Sequence, residues 1–281
     1  MLWKNYVLIG LSVFAFHPTA HAQLFYSGNM NVVTASSTLT VSGNLSNAAL
    51  GTTNYQQQGA GSLVASYFGT MNVAVNLGAG TIQFFAPTAV NGNNSGNWQP
   101  LPGGAAGNAQ AVYGVFIPYA GGFEPINAAL RSLTYSITSA SLPLSGGGNS
   151  FTFTPTQQIP ITSGVLDFRA TGLFSGSGFT SMVGNTASNV AAANTGSVVL
   201  LPSNDLRVTF NVDATINTVF DPGAGLGNFT AQTRFVGSLQ AIVAVPEPAT
   251  IGLLGLTGTL AGLLLWRHLK ARKRHLNAII Q

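Results

Sequence analysis

The 281 residues contain no cysteine, so neither a disulfide nor a thiolate metal site is available. Charge is nearly as scarce, at 6% of residues against about 25% in ordinary soluble domains. The four histidines, His17, His21, His268 and His275, all lie near the two ends, and residues 23–244 also lack lysine. Ser-His-Asp, Cys-His and Ser-Lys catalysis are thereby excluded from that segment, as are His-ligated zinc and iron sites. No catalytic residue, metal ligand or cofactor is assigned.

The formal charge of +4 and pI near 9.6 give a false impression of a basic protein. Lys4 stands at the front, and Arg267, Lys270, Arg272, Lys273 and Arg274 stand at the back. Between residues 23 and 244 the cations are Arg131, Arg169, Arg207 and Arg234, against Glu124, Asp167, Asp205, Asp213 and Asp221. A nucleic-acid partner needs several cations on one face to displace counterions from phosphates, and four scattered arginines do not supply them. No nucleic-acid partner is expected.

What the chain does have is apolar residues, at 46%, enough to form a core despite the Gly, Ser, Thr and Asn content. Their period is two. In DLRVTFNVDATI (205–216), Leu206, Val208, Phe210, Val212, Ala214 and Ile216 alternate with polar residues, which predicts a half-buried strand. TMNVAVNL (70–77), SLTYSITSASL (132–142) and VLDFRATGLF (165–174) alternate similarly, and shorter apolar runs are separated by Gly, Asn, Pro and Ser clusters. PINAALRSL (125–133) is the one stretch with a hint of helical period. Segments 90–108 and 174–196 read as long loops. The expected fold is all-β, an antiparallel β-sandwich or jelly-roll-like ectodomain over residues 23–244, with one C-terminal transmembrane helix.

The ends address a membrane. Lys4 precedes the apolar run YVLIGLSVFAF (6–16), and Ala20-His21-Ala22 places small residues at the −3 and −1 positions of a secretory cleavage site. Residues 1–22 are therefore predicted to be a signal peptide. At the other end residues 249–266 are free of charge, and 18 residues at 1.5 Å each give roughly 27 Å, close to the hydrocarbon thickness of about 30 Å. The cations of 267–274 resist translocation, which holds the tail (277–281) in the cytoplasm and residues 23–244 outside. Pro246 and Pro248 push Val245 and Glu247 into extended conformations just where a helix would otherwise begin. An extended segment at a membrane surface is what a processing enzyme can bind, although a proline-capped linker would look the same.

Val245-Pro246-Glu247-Pro248, then one apolar span, then a basic cluster, resembles the PEP-CTERM protein-sorting signal of bacterial exported proteins over residues 245–276. The resemblance implies transient handling by exosortase, a multi-pass membrane cysteine transpeptidase, and association with the inner membrane. It also implies a link to exopolysaccharide and biofilm matrix. Val245, Pro246, Glu247 and Pro248 become the recognition motif, residues 249–266 a transient membrane hold, and Arg267, Lys270, Arg272, Lys273 and Arg274 the stop-transfer cluster. Residues 23–244 are in turn similar to a recurring ectodomain of such proteins, through Gly61-Ser62-Leu63, Ser66-Tyr67, Gly69-Thr70, Thr81-Ile82-Gln83-Phe84, Ser95-Gly96-Asn97-Trp98-Gln99-Pro100 and Gly103-Gly104. That second likeness implies no activity.

Two chemistries survive the inventory. A glycosidase needs two carboxyl groups about 5–9.5 Å apart, and Asp205 and Asp213, eight residues apart on one strand, are separated by roughly 26 Å. Pairs that include Glu124, Asp167 or Asp221 depend on the fold. Asp167 with Arg169, and Asp205 with Arg207, read as surface ion pairs on a strand face. Trp98 sits in an Asn- and Gly-rich loop. Exposed, it could stack on an uncharged sugar beside Asn97, and buried, it would plug the core beneath its own loop. The expectation is an exported, non-enzymatic cell-surface or matrix protein, with a glycan-binding module using Trp98 and a carboxylate-only hydrolase as the alternatives.

Overall fold

A computed structural model describes residues 25–118, 125–147, 149–154, 157–171, 175–189, 194–221 and 227–245. The signal-peptide residues with Ala20 and Ala22, the motif beyond Val245, the apolar segment 249–266 and the basic cluster 267–274 lie outside the described residues. No described helix is long and apolar enough to cross a membrane.

The regular structure of the described chain is almost all strand, and all of its strand pairing is antiparallel. The first strands are β1 (Phe25–Val32), β2 (Thr38–Asn47), β3 (Gly51–Asn54), β4 (Gln56–Gln57), β5 (Val64–Asn76) and β6 (Thr81–Gly92). Next come β7 (Gly96–Trp98), β8 (Ala109–Ala111), β9 (Tyr113–Ile117), β10 (Ile126–Tyr135), β11 (Leu142–Pro143) and β12 (Ser150–Thr152). The last are β13 (Gln158–Ala170), β14 (Gly176–Ser181), β15 (Thr186–Asn189), β16 (Thr195–Leu200), β17 (Asp205–Phe220) and β18 (Phe229–Ala244).

The pairing closes on itself. It runs β17, β15, β13, β10, β6, β5, β1, β18, and β18 pairs with β17 along its whole length, from Asp205↔Ala244 to Phe220↔Phe229. Long ladders alternate with short corners, where only Ser188↔Thr215 and Asn189↔Ala214, or Thr134↔Asn91 and Tyr135↔Val90, or Asn31↔Ile242 and Val32↔Ala241 meet. The result is a closed arrangement in which β6 and β10 face β17 and β18 as two layers. Closure removes most exposed edges, which a strand-rich chain with little charge needs in order not to pair with its neighbours.

Side chains pointing inward from both layers meet between them. Phe84 of β6 and Phe153 meet Phe210 of β17 edge-on, at 5.6 and 5.4 Å between ring centroids. Tyr135 of β10 lies 5.8 Å from both Tyr67 of β5 and Phe235 of β18. A second cluster at the far end joins Phe168, Phe220 and Phe229. Each such ring contributes roughly 1.5–3 kcal/mol on burial, and this is what holds a disulfide-free fold together.

The strand predicted over 205–216 is present and runs on to Phe220, with Leu206, Val208, Phe210, Val212, Ala214 and Ile216 all buried. Three readings need correction. PINAALRSL is not helical: Ile126–Tyr135 is strand β10, and its apolar positions are nearly continuous because β10 is buried on both faces. The strand expected over 132–142 stops at Tyr135. Beyond it the Thr88 hydroxyl accepts from the Ile137 N–H at 2.8 Å and donates to the Ile137 carbonyl at 2.9 Å, replacing a ladder. Segment 174–196 holds β14 and β15 and the start of β16 rather than a loop; β14 satisfies its backbone against β13 although its Gly and Ser residues bury little.

Candidate functional site

The Trp98 loop is built on rigid supports. β7 pairs with β8 as a small ribbon, Gly96 opposite Ala111 and Trp98 opposite Ala109. A 3-10 turn at Pro102–Gly104 follows, with Gly103 at φ 77°, a conformation that favours glycine. Beneath it Arg131 of β10 and Asp167 of β13 form a buried ion pair, 8% and 1% exposed. Arg131 also donates from Nε to the Gln110 carbonyl at 3.1 Å and from Nη2 to the Pro100 carbonyl. Asp167 accepts the Gly103 N–H at 2.7 Å. Two charges removed from water thus bind both limbs of the loop, and every contact they make is directed at it.

This corrects the surface pairing expected of Asp167 with Arg169. The Asp167 side chain is turned inward to Arg131, and Arg169 donates instead to the Gly104 carbonyl at 3.4 Å. Asp205 likewise accepts from the Ser203 hydroxyl at 2.7 Å rather than pairing with Arg207. Among the described residues the exposed ion pair is Asp213 with Arg234, directed across β17 and β18 through two contacts of 2.7 Å. The Arg234 guanidinium holds the Asp213 carboxyl below its usual range.

Trp98 does not plug the core. It is half-buried, it packs in neither core cluster, and its ring lies over glycine. A Cβ at Gly114 would fall 2.5 Å from Trp98 Cγ, one at Gly96 2.0 Å from Nε1, and one at Gly59 3.4 Å from Cζ3. Glycine at 59, 96 and 114 therefore lets the indole approach the backbone. Around it stand amides. Gln58 and Gln99 exchange two hydrogen bonds, Nε2 to the Gln99 carbonyl at 2.6 Å and the Gln99 N–H to Gln58 Oε1 at 2.8 Å. Asn127 donates to Gln99 Oε1 at 3.4 Å, and Asn108 to the carbonyl of exposed Asn97 at 3.5 Å.

The described carboxylates do not converge. Asp205, Asp213 and Asp221 follow one another at eight-residue intervals along and just beyond β17, roughly 26 Å each at about 3.3 Å per residue, and Asp167 is committed to Arg131. No group of three or more His, Cys, Asp or Glu that could hold a metal occurs among the described residues. The strongly perturbed groups are tyrosines in the core. Burial pushes Tyr55 and Tyr67 up to about 12, and Tyr113 and Tyr135 well above their ordinary value. Tyr67 and Tyr113 share a hydrogen bond of 2.8 Å, and Tyr113 Oη donates to the Leu39 carbonyl at 3.2 Å. These are packing groups of the core.

Sequence reasoning named Trp98 and Asn97 but missed Arg131, Asp167 and Gln58, which position them. The partners are 36 residues apart in one case and 41 in the other, so no local spacing reveals them. The available hint was burial, since Arg131 follows Ala128-Ala129-Leu130 and Asp167 stands between Leu166 and Phe168.

At the carboxyl end of the body, Val245 continues from β18 and is still held. Its N–H donates to the Asn204 carbonyl at 3.1 Å, and its side chain packs on the core. Of the four motif residues Val245, Pro246, Glu247 and Pro248, Val245 is the one within the described residues.

No curated protein and no solved structure matches the chain significantly. Residues 244–273 match the family described as the PEP-CTERM protein-sorting motif, so the match opens on the last residue of β18. A motif of this kind marks a protein for export, membrane or surface sorting, and exosortase processing in general. The chain thus carries a match to the PEP-CTERM sorting motif at the carboxyl end of an antiparallel all-β body, beginning on the last residue of its last strand.

Proposed function

We propose that the protein is a non-enzymatic cell-surface or extracellular-matrix component of an exopolysaccharide or biofilm system, held in the inner membrane until its tail is processed. The observation that carries this reading is the sorting motif beginning at Ala244, flush with a closed β body. A body without histidine, lysine or cysteine, whose described carboxylates lie far apart or are committed to arginine, favours a structural role over catalysis. Mass spectrometry of the mature protein tests the sorting step. A carboxyl terminus near residues 246–248 is expected; one at Gln281 would mean a permanent anchor instead. The hydrolase alternative predicts release of reducing sugar that single Asp→Asn changes abolish.

A second reading is favoured by the bed on which Trp98 lies. An indole laid on glycine backbone, rimmed by Asn97, Asn108, Gln58 and Gln99 and without exposed charge among them, suits stacking on an uncharged sugar with amides reaching its hydroxyls. A glycan array on the exported protein, with Trp98→Ala as control, separates binder from scaffold. Retention that survives Trp98→Ala would remove this site from consideration.

A further inference from the structure

We propose that the end of the body carrying Phe25, Leu200 and Val245 is the face the precursor lays against the lipid bilayer. The proposal rests on the membrane-held precursor described above and adds the orientation of the body on that membrane.

Strand register places both exits at one end. β1 and β18 are antiparallel, with Asn31 opposite Ile242. Followed back from Asn31, β1 reaches Phe25 six residues further in the direction in which β18 ends, roughly 20 Å past Ile242 at about 3.4 Å per residue. Val245 is three residues past Ile242 in the same direction, roughly 10 Å. The two segments read from sequence as membrane-directed are adjacent to these points. Three steps separate Ala22 from Phe25 and four separate Val245 from Ala249, spans of at most roughly 11 and 14 Å. Cleavage after Ala22 leaves the tail as the tether, and a body held that closely through Val245 turns this end to the lipid.

The exit is stiff as well as short. Val245 is bound to Asn204, which sits at φ 60° in the turn between β16 and β17. Within this turn the Leu201 N–H donates to the Asp205 carbonyl at 2.8 Å and the Asn204 N–H to the Leu201 carbonyl at 2.9 Å. The chain therefore leaves the described fold from a fixed point.

The surface at this end suits an apolar contact. Phe25 is 63% exposed, and Leu200, opposite Leu206 and so level with Val243, is 45% exposed at the tip of β16. The acid beside them, Asp205, has its carboxylate hydrogen-bonded by Ser203. The described chain contains no lysine, and the one cation near this end is Arg207, opposite Val199 and Ile242, so contact with lipid rests chiefly on apolar insertion rather than on anionic headgroups. Val219, at the other end of β17 and 57% exposed, is the matched control, 14 residues from Asp205 and so roughly 46 Å away.

Because the chain lacks cysteine, Leu200→Cys and Val219→Cys in the full-length protein each create a unique labelling position. The labelled variants, carrying an environment-sensitive dye, are reconstituted in phosphatidylcholine vesicles with and without phosphatidylglycerol. Flotation reports anchoring, and quenching by spin-labelled lipid reports proximity. The expected result is flotation of both variants, with several-fold stronger quenching and a blue shift at position 200 only, equal in the two lipid mixtures. Flotation with equal quenching at both positions, or stronger quenching at 219, overturns the orientation while leaving the anchor intact. Quenching at 200 that appears only with phosphatidylglycerol overturns the apolar contact. Failure to float overturns the anchored precursor itself, and the orientation with it.

Discussion

Asp167 closes the guanidinium of Arg131 inside the protein with one carboxylate oxygen and takes the Gly103 N–H at 2.7 Å with the other. The arrangement ties β10, β13 and the Trp98 loop at a single point. Asp167→Ala leaves the Arg131 charge buried and unpaired and is expected to cost about 3–5 kcal/mol, a large share of the roughly 5–15 kcal/mol that holds a domain folded. The double variant Arg131→Met with Asp167→Leu removes both charges and is expected to be more stable than Asp167→Ala alone. Asp213→Asn, whose partner Arg234 is exposed, is expected to move the urea midpoint far less. Urea unfolding of the four proteins measures the order; a double variant weaker than the single one would show that the pair itself stabilises the fold.

How far the sequence revealed this architecture depended on whether its signal was local. β17 was legible because one of its faces is buried and the other polar, so the period of two is written directly into residues 205–216. β10 was not, because burial on both faces erases alternation and leaves an apolar run that helix and strand share. β14 was hidden for the opposite reason, since an edge strand held by backbone pairing alone needs no apolar residue. The Trp98 loop was recognised as special from Asn, Gly and Trp in sequence. The fixing of its position by Arg131 and Gln58 is a property of distant strands brought together, which no spacing records.

The glycine under Trp98 gives a direct probe of that loop. A methyl group at position 114 would come within 2.5 to 2.9 Å of Trp98 Cγ, Cβ and Cδ2, atoms near the backbone that cannot swing aside without moving the whole indole. Gly114→Ala is expected to cost about 1–3 kcal/mol and to expel the ring into water. In a Trp3→Phe, Trp266→Phe background, where Trp98 is the sole emitter, its fluorescence is expected to shift to the red and become more accessible to iodide. An unchanged spectrum would mean that the indole does not rest on Gly114.

Alkaline pH reads the tyrosine core. In the unfolded chain tyrosine ionises near 10, whereas burial holds Tyr55 and Tyr67 to about 12 and Tyr113 and Tyr135 higher than their ordinary value. The folded protein therefore keeps protons that the unfolded chain releases. The stabilisation is complete below pH about 10 and is lost as pH rises toward 12, by about 1.4 kcal/mol per pH unit for each such tyrosine. The share of tyrosinate absorbance owed to these four of the seven tyrosines is expected to lag until unfolding and then to rise in one cooperative step. Tyr67→Phe should make the loss of stability with pH shallower by one proton; a smooth titration near pH 10 without unfolding would place these hydroxyls in water.

Phe210 tests whether the two layers share one core. It projects from β17 onto Phe84 and Phe153, which come from other parts of the chain, and it is almost fully buried. Phe210→Ala removes the ring and leaves a cavity that strands fixed by sixteen register pairs between β17 and β18 cannot collapse to fill, so a loss of about 3–5 kcal/mol is expected. Val219→Ser, on the same strand but outward-facing, is expected to stay within about 0.5 kcal/mol. With no disulfide to limit the unfolded chain, the full cost of the cavity should appear in the denaturation midpoint, the denaturant slope staying as in the parent. Comparable losses from both substitutions would mean that β17 is held by its ladder and not by the rings packed against its inner face.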